Sequence, residues 1–132
     1  MYLDVLTLLR GALQELGKES LLAPGLDTHS TIALDFENAP SIFVDQIDEE
    51  VWLSGKFDVH DALWAARAES ILNCISQQSD FIAGRAPAVF KSDGTVDMYV
   101  LVRRNYLDDV PGFLYALRGF QARLEELAEV LV

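Results

Sequence analysis

Residues 31–57 read TIALDFENAPSIFVDQIDEEVWLSGKF, and this stretch decides the fold. Apolar side chains alternate with other side chains in three short runs, which is the two-residue period of a β-strand. Pro40 separates the first two runs, because proline fixes its own φ and disfavours a helical residue before it. Asp48 and Glu49 turn the chain between the second and third runs. The stretch therefore predicts a meander of three strands, over residues 31–36, 41–47 and 50–57.

Large apolar side chains fall on both faces of this predicted meander. One face carries Ile42, Val44, Val51 and Leu53, and the other carries Phe43, Ile47 and Trp52. Three strands with an apolar face cannot stand alone, so helices are expected to cover one side of the sheet. The second face also needs cover, and we expect another protein to supply part of it.

The composition indicates one globular domain with an acidic surface. The chain has 132 residues, of which 51% are hydrophobic, enough to bury a substantial core. It carries 21 acidic and 10 basic residues, which gives a formal net charge of −11. Nucleic acids and anionic lipids both require a basic patch, so neither a nucleic acid nor a membrane is expected as a partner.

Cysteine usage and the N-terminus predict a soluble cytoplasmic protein. Cys74 is the only cysteine, which excludes a disulfide framework and a thiolate metal cluster. The N-terminus has no basic segment followed by a long apolar run, as a signal peptide would have. No apolar stretch in the sequence approaches the roughly 20 residues that cross a bilayer.

An amphipathic helix is predicted over residues 2–16, with Gly17 ending it. Its apolar arc is wider than one contact with the sheet requires, and Leu3, Leu6 and Leu13 belong to that surplus. Two interpretations of the surplus remain open. These side chains pack over the edge of the domain, or they line a groove for a partner.

A second helix is predicted from Asp58, its capping residue, to Gln77 or Gln78. Its apolar face comprises Trp64, Ala68, Ile71, Leu72 and Ile75. Alanines thin this face and let another backbone approach closely, either the sheet or a symmetry-related helix. We therefore expect a homodimer whose interface combines this helix with strand residues of the next hairpin. The predicted interface residues are Trp64, Ala68, Ile71, Ile75, Tyr99 and Leu101.

The last third of the chain predicts a hairpin and a long helix. Strands over 88–91 and 96–104 flank the turn SDGT at residues 92–95. Asp108 or Asp109 caps a final helix, whose apolar spacing resembles a short coiled-coil seam but is expected to pack on the sheet. The resulting fold class is α+β, with element order α-β-β-β-α-β-β-α and a mainly antiparallel twisted sheet covered by helices.

Residues that carry chemistry are scattered through the sequence. It contains no phosphate-binding glycine loop, metal-binding His-Glu motif or nucleophile elbow. His29, His60 and Cys74 lie far apart, and the acidic residues around Asp48 are expected to form a solvated loop. No catalytic residue, cofactor or metal is assigned, and an enzyme is not expected. A small enzyme that uses His29 or Cys74 remains the alternative that alanine substitutions would test.

Several local strings, taken in order, resemble the class I type III secretion chaperones, and in particular the invasion protein B (SpaK) group. They are DTHSTI at residues 27–32, PSI at 40–42, VWL at 51–53, Ile71 with Leu72, and Phe113, Ala116, Leu117 and Phe120. The resemblance covers nearly the whole chain without large insertions. One departure is DVPG at residues 109–112, where relatives place the turn glycine earlier, and it leaves the start of the last helix open.

The resemblance implies a small, acidic, cytoplasmic homodimer without nucleotide or metal. Such chaperones bind the non-globular N-terminal segment of secreted effector proteins, keep it secretion-competent and deliver it to the export apparatus, whose components are further partners. Effector binding is then expected at Leu3, Leu6, Leu13, Phe43, Ile47 and Trp52. A dimeric adaptor for a folded protein partner is the alternative interpretation of the same surplus of apolar residues.

Overall fold

Alternating side chains build one five-stranded antiparallel sheet. In the computed structural model, which describes residues 4–18, 31–36 and 40–132, the strand order is β1-β2-β3-β5-β4. The strands are β1 (Ile32–Leu34), β2 (Ile42–Ile47), β3 (Glu50–Asp58), β4 (Ala88–Ser92) and β5 (Thr95–Leu101). The predicted meander and hairpin are therefore confirmed, although β5 ends before residue 104. The predicted break at residues 38–40 lies largely outside the described residues.

The two hairpin turns depend on residues that accept a left-handed backbone. Asp48 has φ 56° between β2 and β3, and Gly94 has φ 74° between β4 and β5. Aspartate tolerates this region better than most side chains, and glycine enters it without steric cost. Both turns lie where the sequence predicts them.

Among the described residues, four α-helices and one 3₁₀ turn complete the order of elements. They are α1 (Val5–Glu15), α2 (Asp61–Ala66), α3 (Ala68–Ile75), the 3₁₀ turn (Arg104–Leu107) and α4 (Val110–Val130). The Asp4 carboxylate accepts a hydrogen bond from the Thr7 amide at 3.2 Å and one from the Thr7 hydroxyl, which together lower the pKa of Asp4. None of the described helices is long and apolar enough to cross a membrane.

The predicted middle helix is wrong at its start and in its continuity. Asp58 is the last residue of β3, where it pairs with Thr95, so it does not cap a helix. The helix begins at Asp61 and breaks at Arg67 into α2 and α3. The Asp61 carboxylate accepts from Lys91 Nζ at 2.5 Å and from the Gly94 amide at 3.0 Å, which lowers its pKa. Strand pairing and this link to the β4–β5 turn therefore override the capping pattern in the sequence.

The helix α4 packs on the sheet, as the sequence predicts. Its apolar side chains at Phe113, Leu117, Phe120, Leu124 and Leu127 are buried. A Cβ added to Gly55 on β3 would lie only 2.6 Å from Leu124 Cδ2, so glycine lets α4 approach the sheet closely. Asp109 caps α4 by accepting a hydrogen bond from the Gly112 amide at 2.8 Å. The buried residues of α1 join the same core.

Candidate binding surfaces

The face of the sheet turned away from the core is lined by aromatic and aliphatic side chains. The strand register aligns Phe43 with Ser54 and Ser54 with Tyr99, while Trp52 pairs with Leu101. The side chains of Phe43, Trp52, Tyr99 and Leu101 are partly exposed, and that of Ile47 is 58% exposed. Alternate residues of the same strands point into the core, which the helices cover. We call this surface the open sheet face.

The residues predicted to bind an effector do not lie on one surface. Phe43, Ile47 and Trp52 lie on the open sheet face, on β2 and β3. Leu6 is partly buried on α1 and packs against the core, on the helical side of the sheet. Leu3 lies outside the described residues.

Leu13 was expected to be part of an open groove, and the structure corrects that expectation. Its side chain has 0% exposure and belongs to the core. The reason is the helical spacing of α1, which places Val5, Leu9, Ala12 and Leu13 on one face. This face packs against the core, so the Leu13 side chain is not exposed.

The residues predicted at the dimer interface divide between the two sides of the sheet. Trp64 and Ile75 are partly buried against the core, and Ala68 is exposed. Tyr99 and Leu101 lie on the open sheet face, beside Phe43 and Trp52. Part of the predicted dimer interface is thus continuous with part of the predicted effector site.

Two members of the predicted middle helix are placed differently from the expectation. Ile71 is only 3% exposed, because α3 directs it into the core. Leu72, the next residue along, is 60% exposed and does not share a buried face with Ile71. As a fully packed side chain, Ile71 is not available to a partner, so its assignment to the dimer interface is wrong.

The outer strand β4 adds a residue that sequence reasoning missed. Phe90 is 60% exposed, and its ring meets Tyr99 edge-on, with the centroids 5.7 Å apart. β4 is the last strand of the described sheet, so one side of its backbone is not paired within that sheet. Val89 and Lys91 face the core side of β4. The two-residue period of a strand could therefore have placed Phe90, which lies between them, on the open sheet face.

Of the three groups considered for catalysis, the structure describes Cys74 and His60. Burial is the main cause that raises the pKa of the Cys74 thiol; Glu126 raises this pKa further, and Arg123 lowers it by a smaller amount. The thiol therefore stays protonated at neutral pH. His60 is exposed at the start of α2, and His29 lies outside the described residues. Within the described ranges, no three His, Cys, Asp or Glu side chains are grouped as metal ligands. Glu49, beside the acidic turn, pairs with Arg104 at 3.0 Å.

Two solved structures share this fold over most of their length. A chain of the heterodimeric complex ExoU-SpcU, from the type III secretion system of Pseudomonas aeruginosa, superposes with a TM-score of 0.61 and 16% identity. The superposition covers 91% of this chain and 94% of that one. YbjN from E. coli, whose description concerns transcription, gives a TM-score of 0.58 and 15% identity over 98% of this chain and 92% of YbjN. Likenesses at this level of identity show the fold alone.

Sequence relatives carry the assignment of family. The Invasion protein B family matches residues 17–93, which is more than half of the chain. The surface presentation of antigens protein SpaK from Salmonella typhimurium is 32% identical, over 99% of this chain and 98% of SpaK, and SpaK from Salmonella typhi gives the same values. The chain therefore belongs to the invasion protein B (SpaK) family of type III secretion chaperones, whose members are not enzymes.

Proposed function

We propose that this protein binds the non-globular N-terminal segments of secreted effectors, keeps them secretion-competent and delivers them to the export apparatus from the bacterial cytoplasm. The observation that carries the proposal is the open sheet face, where Phe43, Trp52 and Ile47 expose apolar surface next to one another. Exposed apolar patches on a protein of this size usually mark an interaction site. Family membership supports the same role.

An extended segment suits the placement of the candidate contacts better than a folded partner does. Phe43 and Trp52 lie on the open sheet face, while Leu6 lies on the helical side of the same sheet. An extended chain advances about 3.3 Å per residue, so a short segment can pass around a sheet edge and reach both sides. β1 is the outer strand of the sheet that the described residues form, and its edge lies along that path, which suits strand addition.

The energetics of such a complex require several anchors. Ordering a disordered segment costs about 2–5 kcal/mol, and this cost must be recovered from buried apolar contacts and strand pairing. One aromatic pocket is too small for that, whereas a row of aromatic side chains across neighbouring strands supplies several contacts. Binding then maintains an extended effector without nucleotide hydrolysis.

Replacing Phe43 with aspartate is expected to weaken binding of effector N-terminal segments by roughly 2 kcal/mol, because an unpaired charge then enters a dry contact. The thermal melt of the free protein should stay nearly unchanged, since Phe43 is partly exposed on the open sheet face. Titration calorimetry with N-terminal segments of effectors from the same bacterium measures the affinity. Leu6→Asp tests the helical side, and its melt shows whether the core contact of Leu6 confounds the result.

Tyr115→Asp is the matched control, because Tyr115 is an aromatic residue with 54% exposure on α4, away from the open sheet face. Equal losses in Phe43→Asp and Tyr115→Asp would move the effector site off the open sheet face. Binding of folded effectors but not of their N-terminal segments would instead favour the adaptor interpretation. Loss of binding in Phe43→Asp alone, with an intact melt, supports the chaperone.

We further propose a homodimer whose contact follows the β4 edge. Phe90 lies on β4 itself, Tyr99 and Leu101 lie on the neighbouring strand β5, and Trp64 lies on α2, next to Lys91 of β4. Ala68 and Ile75 follow on α3 and complete the proposed contact. Lys91 fixes α2 above β4, because it pairs with Asp61 and lies 5.8 Å from the centre of the Trp64 ring. An interface built on this edge would cover unpaired backbone and exposed aromatic surface together.

Sedimentation at micromolar concentration is expected to give twice the 14.7 kDa mass of the chain. Phe90→Asp should shift the protein toward the monomer, because it places a charge beside Tyr99 in the proposed contact. Ala86→Asp, an exposed position before β4, provides a control with the same charge change. A mass that stays at 14.7 kDa over a wide concentration range would contradict the dimer.

A further inference from the structure

Two adjoining cavities open beside the loop at residues 78–81, and the larger of them lies between this loop and the outer side of α4. Their volumes are about 650 and 380 Å³, and both are lined by Gln78, Ser79 and Asp80. Arg118 and Arg123 line the larger cavity, and Arg85 and Arg103 line the smaller one. We call the combined surface the arginine groove. It lies on the helical side of the sheet, with α4, and not on the open sheet face.

The charge of the arginine groove is opposite to that of the protein. Four of the 10 basic residues of the chain line it, whereas the described part of the chain contributes two acidic residues to its lining, Asp80 and Glu126. The groove is therefore locally positive on a chain with a net charge of −11. Screening at physiological salt limits charge interactions to about 8 Å, so a short ligand in the groove senses mainly these local groups.

Aromatic side chains form the apolar wall of the groove. A Cβ on Gly119 would lie 2.5 Å from Phe81 Cε1, so the glycine lets the Phe81 ring lie directly against the α4 backbone. Phe81 meets Tyr115 edge-on at 6.5 Å, and Tyr115 stacks on Tyr106 at 5.5 Å. Tyr115 remains 54% exposed, so this wall offers contact area to an apolar side chain of a ligand.

The four arginines divide into two that hold the groove and two that are available to a ligand. Arg123 donates to the Gln77 carbonyl at 2.6 Å and the Ser79 hydroxyl at 2.8 Å, and Arg103 Nε donates to the Ile82 carbonyl at 3.2 Å. The side chains of Arg85 and Arg118 make neither a hydrogen bond nor an ion pair with the parts of the chain that the structure describes. The groove is thus preorganised, with free guanidinium groups at its rim.

We propose that the arginine groove is a second binding surface, which takes an acidic segment of another protein that carries an aromatic anchor. The free arginines pair with the carboxylates, and the anchor packs on the exposed ring of Tyr115, which Phe81 supports from below. Long polyanions such as nucleic acids are disfavoured, because they would extend beyond the groove over an acidic surface. Since the groove and the open sheet face lie on different sides of the sheet, this partner can bind a chaperone that already holds an effector.

The test is a titration of the ¹⁵N-labelled full chain with a short synthetic peptide that has one phenylalanine flanked by glutamates. Amide shifts are expected at residues 78–81 and along 115–123, and they should move little on β2 and β3. A peptide with lysines in place of the glutamates, and one with alanine in place of the phenylalanine, should each bind more weakly. No shifts up to millimolar peptide, shifts centred on the open sheet face, or equal binding of the lysine peptide would overturn the proposal.

Arg118→Glu should weaken the acidic peptide about fivefold, because it turns one surface charge attraction into repulsion. Lys56→Glu makes the same charge change on the exposed open side of β3, and it should leave peptide affinity within about twofold. Binding of effector segments should survive Arg118→Glu, so failure of this proposal is separable from failure of the proposed function. An unchanged peptide affinity in Arg118→Glu would refute the groove. Dissociation of a homodimer in the Arg118→Glu variant would show that a second copy of the chain occupies the arginine groove, which would also overturn the proposal.

Discussion

Replacing Leu13 with aspartate is expected to unfold this protein. Leu13 has 0% exposure and lies in the core formed by α1, α4 and the sheet. The substitution removes a buried leucine, which costs about 2–5 kcal/mol, and it also requires an unpaired carboxylate to be buried or protonated. The sum approaches the whole stability of a typical domain, about 5–15 kcal/mol. Urea denaturation followed by circular dichroism measures the loss, or shows directly that the variant is unfolded.

The matched control for this prediction is Leu72→Asp, because Leu72 is a helical leucine that is 60% exposed. Its free energy of unfolding should change by about 0.5 kcal/mol or less, as for most surface substitutions. A large and concentration-dependent loss at Leu72 would show that a second copy covers this part of α3. A stable Leu13→Asp variant would mean that α1 is displaced from the core in solution, and Leu13 would then return as a candidate contact for effectors.

The sheet and the last helix could be predicted because their patterns are local. Alternation over residues 31–57 identifies the meander, and the same alternation distinguishes the core residue Val44 from Phe43 on the open sheet face. The SDGT turn fixes the register of β4 and β5, since Gly94 supplies the left-handed backbone that the hairpin requires. The stripe of α4 is long enough to indicate its buried side without knowledge of its partner.

Other features depend on contacts between distant parts of the chain. The apolar arc of α1 is wide, so the sequence did not show that its core side includes Leu13. The cap predicted at Asp58 fails because pairing with Thr95 extends β3 through that residue. Phe81 is buried against α4, where Gly119 leaves room for its ring, and the sequence around residue 81 does not indicate that contact. Local propensity cannot decide such competitions.

The open sheet face and the arginine groove also differ in how far the sequence predicts them. The open sheet face follows from strand alternation, so Phe43, Ile47 and Trp52 could be assigned to it from the sequence. The arginine groove joins Arg85, Arg103, Arg118 and Arg123, which the sequence places up to 38 positions apart with acidic residues between them. The loop at residues 78–81 borders both cavities, and its packing in the folded chain brings these four side chains together.

Replacing Arg123 with methionine is expected to lower the free energy of unfolding by roughly 2–3 kcal/mol. The Arg123 side chain is 5% exposed, and its guanidinium donates to the carbonyls of Gln77 at 2.6 Å and Cys74 at 3.1 Å, at the end of α3. Both carbonyls lie at the C-terminal end of α3, where the Cys74 carbonyl also accepts a long hydrogen bond from the Gln77 amide at 3.4 Å. The guanidinium therefore adds a charged donor at this end and complements the helix dipole. Methionine keeps much of the packing of the stem but removes the guanidinium donor from both carbonyls. Urea denaturation measures the change.

Arg118→Met tests whether the loss comes from the cap, because Arg118 is exposed on the same helix and should change stability by about 0.5 kcal/mol or less. Hydrogen exchange adds a local readout, since only Arg123→Met should accelerate the amides of the last turn of α3. Arg123 Nε is buried without a hydrogen-bond partner among the described residues, so desolvation opposes the stabilisation by the other nitrogens. Equal stabilities for Arg123→Met and Arg118→Met would therefore mean that desolvation cancels the cap. Faster exchange in α3 together with a loss of stability at position 123 alone would instead assign Arg123 as the residue that anchors α3 and the loop at residues 78–81 to α4.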